Sequence, residues 1–293
     1  MEGNSPSKTA ELMAGFRAME MLRPREDRVC EDPFAEHFLT GAWVSLVKSP
    51  FRTRVYQWIT HLINPGAHNT VPARVRYIDE HIKTCLQNGL EQMVILGAGY
   101  DSRACRLDEL KNKVTVFEVD HPATQEQKKK VLETVFETLP ENLAFVPYQL
   151  GDEGFEQQLF EKGYNENKTS LFILEGLIMY LDPETVKKLF SLISRISCLG
   201  SSVVFDFLPA GIEDGSINSR GGKNMNKWAL KKGEPFKFGI DKKTLPDFLS
   251  SIGFKEISIT TAQQCRDIYF KGRSSNRPVS PLFSFANAEV DKS

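Results

Sequence analysis

Several features are missing from this 293-residue chain, and each absence removes a class of function. The five cysteines (Cys30, Cys85, Cys105, Cys198, Cys265) are scattered, with no C-x-x-C pair. An odd, dispersed set argues against a disulfide framework and a zinc site, and it suits a reducing compartment. No apolar run reaches the ~18 residues of a membrane span. The first thirty residues read as helical and charged, without the apolar centre of a signal peptide. Neither sign of charge is in excess, since the net value is −1. Neither nucleic acid nor a membrane is therefore expected as a partner. Hydrophobic content of 41% and charged content of 26% are those of an ordinary globular protein. The expectation is a soluble, cytoplasmic, metal-free α/β protein.

What is present centres on Met93 to Asp120. Met93 to Leu96 forms an apolar run fit for a strand buried on both faces. Gly97 and Gly99 follow, allowing a tight turn and close approach of a ligand to the backbone. Val114 to Val119 reads as the next strand, and Asp120 stands at its carboxyl end. In open α/β sheets ligands bind there, and a carboxylate at that point can take both hydroxyls of a ribose. The dinucleotide pattern G-x-G-x-x-G is incomplete, with Ser102 in the third place and Asp101 where a pyrophosphate would need free N–H groups. A nucleoside cofactor without phosphate fits better, and a nicotinamide-dependent oxidoreductase or a non-catalytic cofactor-binding protein remains as the alternative of another class.

The surrounding pattern predicts an organisation. Residues 1–90 read as a helical cap: a helix from Thr9, as N-cap, to Met21; a short helix Phe34 to Leu39 begun by Asp32-Pro33; an aromatic-rich stretch Trp43 to Ile63 broken at Ser49-Pro50; and a helix Val71 to Asn88 stopped by Gly89. Residues 91–272 alternate strands at 93–97, 114–119, 144–149, 170–175 and 202–207 with helices near 101–109, 122–137, 154–161 and 183–198, which implies parallel strands joined by right-handed crossovers. The glycine-rich 209–240 reads as a long loop or broken insertion on the substrate side. A helix Lys242 to Ile252 precedes two strands at 254–260 and 265–271, too close for a crossover, so the last should run antiparallel. Residues 273–293 form a tail with no assigned place. Five parallel strands plus an antiparallel C-terminal hairpin strand, doubly wound and Rossmann-like, resemble the layout of S-adenosylmethionine-dependent methyltransferases.

Three motifs sharpen this. LGAGYDSRACRL (96–107), FEVDHP (117–122) and FILEGLIMYLDPE (172–184), with TAELMAGFRAME, DPFAEHFL, ARVRYID and FGIDKKTLPDFLSSIGF, closely resemble the leucine carboxyl methyltransferase-like family, and more its microbial O-methyltransferase branch than its phosphatase-modifying one. The resemblance implies S-adenosyl-L-methionine as cofactor. It implies that Gly97 and Gly99 meet its methionine portion, that Asp120 holds the ribose and that Arg74 pairs with its carboxylate, as a guanidinium fork does well. Glu175 would stand beside its amino group. Gln149 and Leu150 fall where relatives carry Asp-Leu flanking the adenine; glutamine keeps a hydrogen bond and loses the charge, with Asp152 nearby as a compensating carboxylate or a turn residue.

Methyl transfer to a carboxylate needs no general base, because the acceptor is already ionised near neutrality. No convincing catalytic dyad stands out, and His121 reads as a structural neighbour of Pro122. The expected reaction is therefore methyl esterification of a small-molecule or peptide carboxylic acid, with Tyr180 and Arg17 positioning the acceptor. Hydroxyl O-methylation of a polyketide-like metabolite is the alternative within the class.

Overall fold

The computed structural model describes residues 6–149, 152 and 154–293. The chain opens with α1 (Lys8–Met21), which begins earlier than the sequence predicts: Ser7, not Thr9, is the N-cap, accepting from Ala10 N at 3.1 Å. Thr9 then lies in the first turn, and its hydroxyl bonds the Glu234 carboxylate. The short helix expected at Phe34 to Leu39 is a single 3₁₀ turn, Ala35–Phe38. Aromatic packing holds that turn, with Phe38 stacked on Tyr100 at 4.8 Å and Phe34 against Phe136 at 4.8 Å. The break at Ser49-Pro50 separates α2 (Gly41–Val47) from α3 (Pro50–Ile63), with Ser49 as cap and Pro50 in the first turn. Next, α4 (Ala67–Gln87) starts four residues before the predicted Val71, directly after Gly66 in the left-handed region at φ +79°. Pro72 suggests a first turn but sits inside the helix.

The sheet follows. β1 (Gln92–Leu96) leads through α5 (Arg103–Arg106) to β2 (Thr115–Asp120), and α6 (Pro122–Val135) leads to β3 (Leu143–Pro147). Then come α7 (Phe155–Glu161), β4 (Ser170–Leu174), α8 (Pro183–Ile196) and β5 (Ser202–Phe207). These five strands are parallel, with Val94 paired to Phe117 and Phe172 across β2–β1–β4. Strand residues alternate between two cores. Val94, Leu96, Phe172 and Leu174 pack with Phe190 and Ile193 of α8, whereas Met93, Ile95, Leu171 and Ile173 pack with Ile78 and Ile82 of α4. The helical region before the sheet thus supplies one of its two covering layers.

Beyond β5 the structure corrects the sequence reading. Residues 209–240 contain α9 (Arg220–Lys232), capped by Ser219 and stopped by Gly233 at φ +75°. Its apolar stripe is short: Met225 and Ala229 join Met179, Leu208, Ile212 and Phe236 in a small core. Gly221 and Gly222 in the first turn hide the helix from propensity. α10 (Leu245–Ser250) is shorter than predicted and leads to β6 (Phe254–Thr261). The segment 265–271 is not a strand. Residues 265–269 belong to α11 (Ala262–Tyr269), which ends before Phe270 and is begun by a capping box in which Thr261 and Gln264 bond reciprocally. The antiparallel strand is β7 (Ser284–Val290), in the stretch left without a place, and it inserts between β5 and β6. The order is β3-β2-β1-β4-β5-β7-β6. It reverses between β1 and β4, which sets a crevice at the carboxyl ends of those strands.

A candidate active site at the carboxyl ends of the strands

A cavity of about 560 Å³ occupies that crevice. The strand ends form its floor. Residues of α1 (Leu12, Met13, Phe16), α3 (Tyr56, Thr60), α4 (Val71, Arg74) and α9 (Met225, Trp228) close over it, with Tyr180 and Phe236 on the loops between.

The glycine turn is built as the sequence implies. Gly97 (φ +65°) and Gly99 (φ +50°) both adopt left-handed backbone. A Cβ on Gly97 would stand 3.0 Å from Leu177 Cδ1, and one on Gly99 3.1 Å from Ala10 Cβ. Asp120 ties this turn to the end of β2: Gly99 N donates to its Oδ2, and His121 N to its Oδ1 at 2.6 Å. Burial pushes the Asp120 carboxyl above its ordinary value, against those two backbone donors. Asp101 accepts from Arg103 N at 2.7 Å, so the start of α5 offers a carboxylate where a pyrophosphate would need donors.

Arg74 and Glu175 meet in the cavity wall as part of a longer ionic chain. Arg74 Nε donates to Glu175 Oε1 at 3.0 Å, and its Nη1 to Asp206 Oδ2 at 2.8 Å. The other Glu175 oxygen accepts from Arg103 Nη1 at 2.8 Å. Arg103 continues to Asp101 and, at 2.8 Å, to Asp79, which also receives Arg106. Burial would raise the Glu175 carboxyl, but Arg103, Arg74 and Arg17 hold it down to about 2. Burial likewise pushes Asp206 up, opposed by Arg74. Gly176 makes room for this chain, since a Cβ there would lie 3.1 Å from Arg74 Nη1.

The remaining candidates are placed less uniformly. Gln149 is exposed on the cavity rim, its Nε2 3.5 Å from Asp152 Oδ1. Leu150 lies outside the described residues. Tyr180 packs its ring against Phe236 at 5.4 Å, and its hydroxyl has no hydrogen-bond partner among the described residues. Burial raises its pKa. Arg17 lines the cavity, but its Nε is engaged by Asp32 at 2.7 Å and its Nη2 by the Tyr100 carbonyl at 2.5 Å. It braces α1 against the glycine turn. His121 accepts Ala123 N on Nδ1 at 3.2 Å as the cap of α6, the structural part expected of it.

Sequence reasoning missed Asp206, Arg103 and His68. Asp206 had a signal: a carboxylate inside the apolar run SVVFDF must find a partner when buried. Arg103 had none, because nothing local separates it from a solvated arginine. His68, at the start of α4, lines the cavity with its Nδ1 unpartnered among the described residues, and burial with Arg277 nearby lowers its pKa to about 4.

The family model of leucine carboxyl methyltransferase matches residues 10–194. A Bacillus subtilis protein, YktD, provisionally named as an S-adenosyl-L-methionine-dependent methyltransferase, is 32% identical over 224 residues, covering 76% of this chain and 72% of the relative. A Mycobacterium ulcerans protein of the same provisional description is 30% identical over 220 residues, covering 73% and 70%. Among solved structures, a Thermobifida fusca protein described provisionally as a methyltransferase superposes with a TM-score of 0.60, covering 99% of this chain and 97% of that one at 11% identity, a likeness of fold.

Proposed function

The chain belongs to the leucine carboxyl methyltransferase family and is an S-adenosylmethionine-dependent methyltransferase, and from that premise we propose that it esterifies the carboxylate of a largely apolar acid. The residues at the strand ends fit the cofactor. Among the described residues Arg74 Nη2 reaches only the Met13 thioether, at 3.5 Å, a weak acceptor that leaves this donor for a carboxylate. Asp120 uses one lone pair of each oxygen on backbone, leaving others for ribose hydroxyls. Arg74 would hold the cofactor's carboxylate, Glu175 its amino group, Gly97 and Gly99 its methionine portion, and Gln149 the adenine. When bound, S-adenosylmethionine supplies an electrophilic methyl group on a sulfonium centre.

One observation carries the choice of acceptor: among the described residues, no group in the cavity wall is suited to remove a proton. Asp101, Asp120, Glu175, Asp182 and Glu234 are all engaged, by Arg103, by backbone N–H groups, by Arg74 and Arg103, by Thr185 and by Thr9. His121 is engaged as a helix cap. His68, held to about 4, is a weak base. A carboxylate acceptor brings its own charge and needs none of them. The task left to the chain is to orient and dehydrate that oxygen. In this reading the Tyr180 hydroxyl, on the cavity wall, donates to it, while Phe16, Leu177, Trp228 and Phe236 exclude water.

The test is to incubate the protein with methyl-labelled S-adenosylmethionine and paired acids and alcohols of matched apolar bodies. Label on the acids that leaves as methanol in mild alkali is expected. Alkali-stable label on the alcohols would overturn esterification and favour hydroxyl methylation. Tyr180→Phe should raise the acceptor KM severalfold and leave S-adenosylhomocysteine affinity unchanged.

A further inference from the structure

The helix α3 is built inside out. Phe51, Val55, Trp58, Ile59 and Leu62 recur at helical spacing and are 75, 40, 64, 44 and 61% exposed. They form one apolar stripe about 16 Å long. The face turned into the protein is the more polar one: Thr53 is 4% exposed, and Tyr56, Gln57 and Thr60 are half-buried. A soluble helix does the reverse, so the outward stripe signals a partner.

The charge around it says which kind. No carboxylate occurs between residues 38 and 78, and Lys48, Arg52 and Arg54 are exposed beside the stripe without an ion pair among the described residues. Across the cavity, α9 repeats the pattern. Arg220, Lys223, Lys227, Lys231 and Lys232 are exposed, no acid lies between 220 and 233, and Leu230 is 58% exposed. Both helices also line the cavity, α3 through Tyr56 and Thr60 and α9 through Met225 and Trp228. A net charge of −1 averages these basic helices against acidic residues elsewhere, which is why the whole-chain value points away from membranes.

We propose that α3, supported by α9, docks the protein on an anionic lipid surface, with the stripe Phe51–Trp58–Leu62 at the acyl boundary and the flanking cations among the headgroups. Aromatic and aliphatic side chains on one face with Lys and Arg beside them are the pattern of an interfacial helix, and clustered cations favour anionic leaflets. A second copy of the chain fits less well. A two-fold contact through α3 would bring Arg52, Arg54 and Lys48 towards their own copies, with no acid on the helix to pair with them. This inference does not depend on which oxygen is methylated.

Flotation of the full chain with vesicles of phosphatidylglycerol and phosphatidylcholine, against phosphatidylcholine alone, tests it. Binding to the anionic vesicles that weakens with salt is expected. A triple variant Phe51→Ser, Trp58→Ser, Leu62→Ser should lose that binding by about tenfold or more, and Lys223→Glu, Lys227→Glu, Lys231→Glu should weaken it too. Both variants should bind S-adenosylhomocysteine as the parent does, which shows that the cavity is intact. No flotation of the parent, or equal flotation with neutral and anionic vesicles, would overturn the proposal. So would a dimer that the serine variant turns into a monomer while the parent ignores vesicles.

Discussion

The two sides of the cavity treat charge in opposite ways. At the strand ends, Asp206, Arg74, Glu175, Arg103 and Asp79 form a continuous alternation of sign, nearly all of it buried. Along the helical rim, Lys48, Arg52 and Arg54 of the α2–α3 region and Lys223 and Lys227 of α9 share one sign, stand in water and form no ion pair among the described residues. The physical reason is desolvation. A buried ion must be paired, and pairing fixes its geometry. An exposed cation is solvated already and stays free to meet an external anion. Alternation therefore marks a wall that presents one ligand in one pose, and unpaired like charge marks a wall that faces outward.

The contrast can be broken most severely at Arg74. Arg74→Ala leaves Asp206 a buried carboxylate without its cation and Glu175 held by Arg103 alone, and denaturant unfolding should show a loss of about 3–5 kcal/mol. Arg74→Lys should recover only part of it, because an ammonium cannot reproduce the fork. A stable alanine variant would mean that the ionic chain is incidental.

A pH titration probes the same wall. The Glu175 carboxyl lies at about 2 in the fold against an ordinary 4.5, so its pairing stabilises the protein fully above about 4.5 and is lost as the pH falls towards 2. The gap in stability between the parent and Glu175→Gln should be widest near neutrality, on the order of 3 kcal/mol, and close through that window. A gap independent of pH would show that the side chain matters by shape alone.

Asp120→Ala should weaken S-adenosylhomocysteine binding at least tenfold, roughly 1.4 kcal/mol, by calorimetry. Parent-like affinity would remove the ribose assignment. The smallest effect belongs to the rim: Trp58→Ser should change unfolding stability by no more than about 0.5 kcal/mol and leave ligand affinity alone. A large loss there would place α3 in the core of the fold and not at a surface.

Legibility in the sequence followed the range of the interactions. The strands β1 to β5 lie within two residues of their predicted bounds, because each is an apolar run cut by a turn. Gly97, Gly99, Asp120 and Glu175 were readable because each stands at a strand end, where position alone confers meaning. Asp101 was readable because it follows the glycine turn directly, ahead of α5. Arg103 was not, since its partners Asp79 and Glu175 lie 24 and 72 residues away. The terminal region misled for a local reason. Cys265, Ile268, Tyr269 and Phe270 look like strand residues, while the capping box at Thr261 and Gln264 that starts a helix there outweighs them.

By itself the sequence determined the alternating strand–helix order, the glycine turn with its strand-end acid, and through its motifs the family and cofactor. These depend on local periodicity and on fixed short spacings, which survive without coordinates. Only the tertiary structure decided that β7 inserts between β5 and β6, that Asp206 completes the Arg74 pairing across 132 residues, and that the apolar stripe of α3 turns outward. Which face of a helix is covered, and which buried charges meet, depends on where distant segments come to rest. No local pattern carries that information.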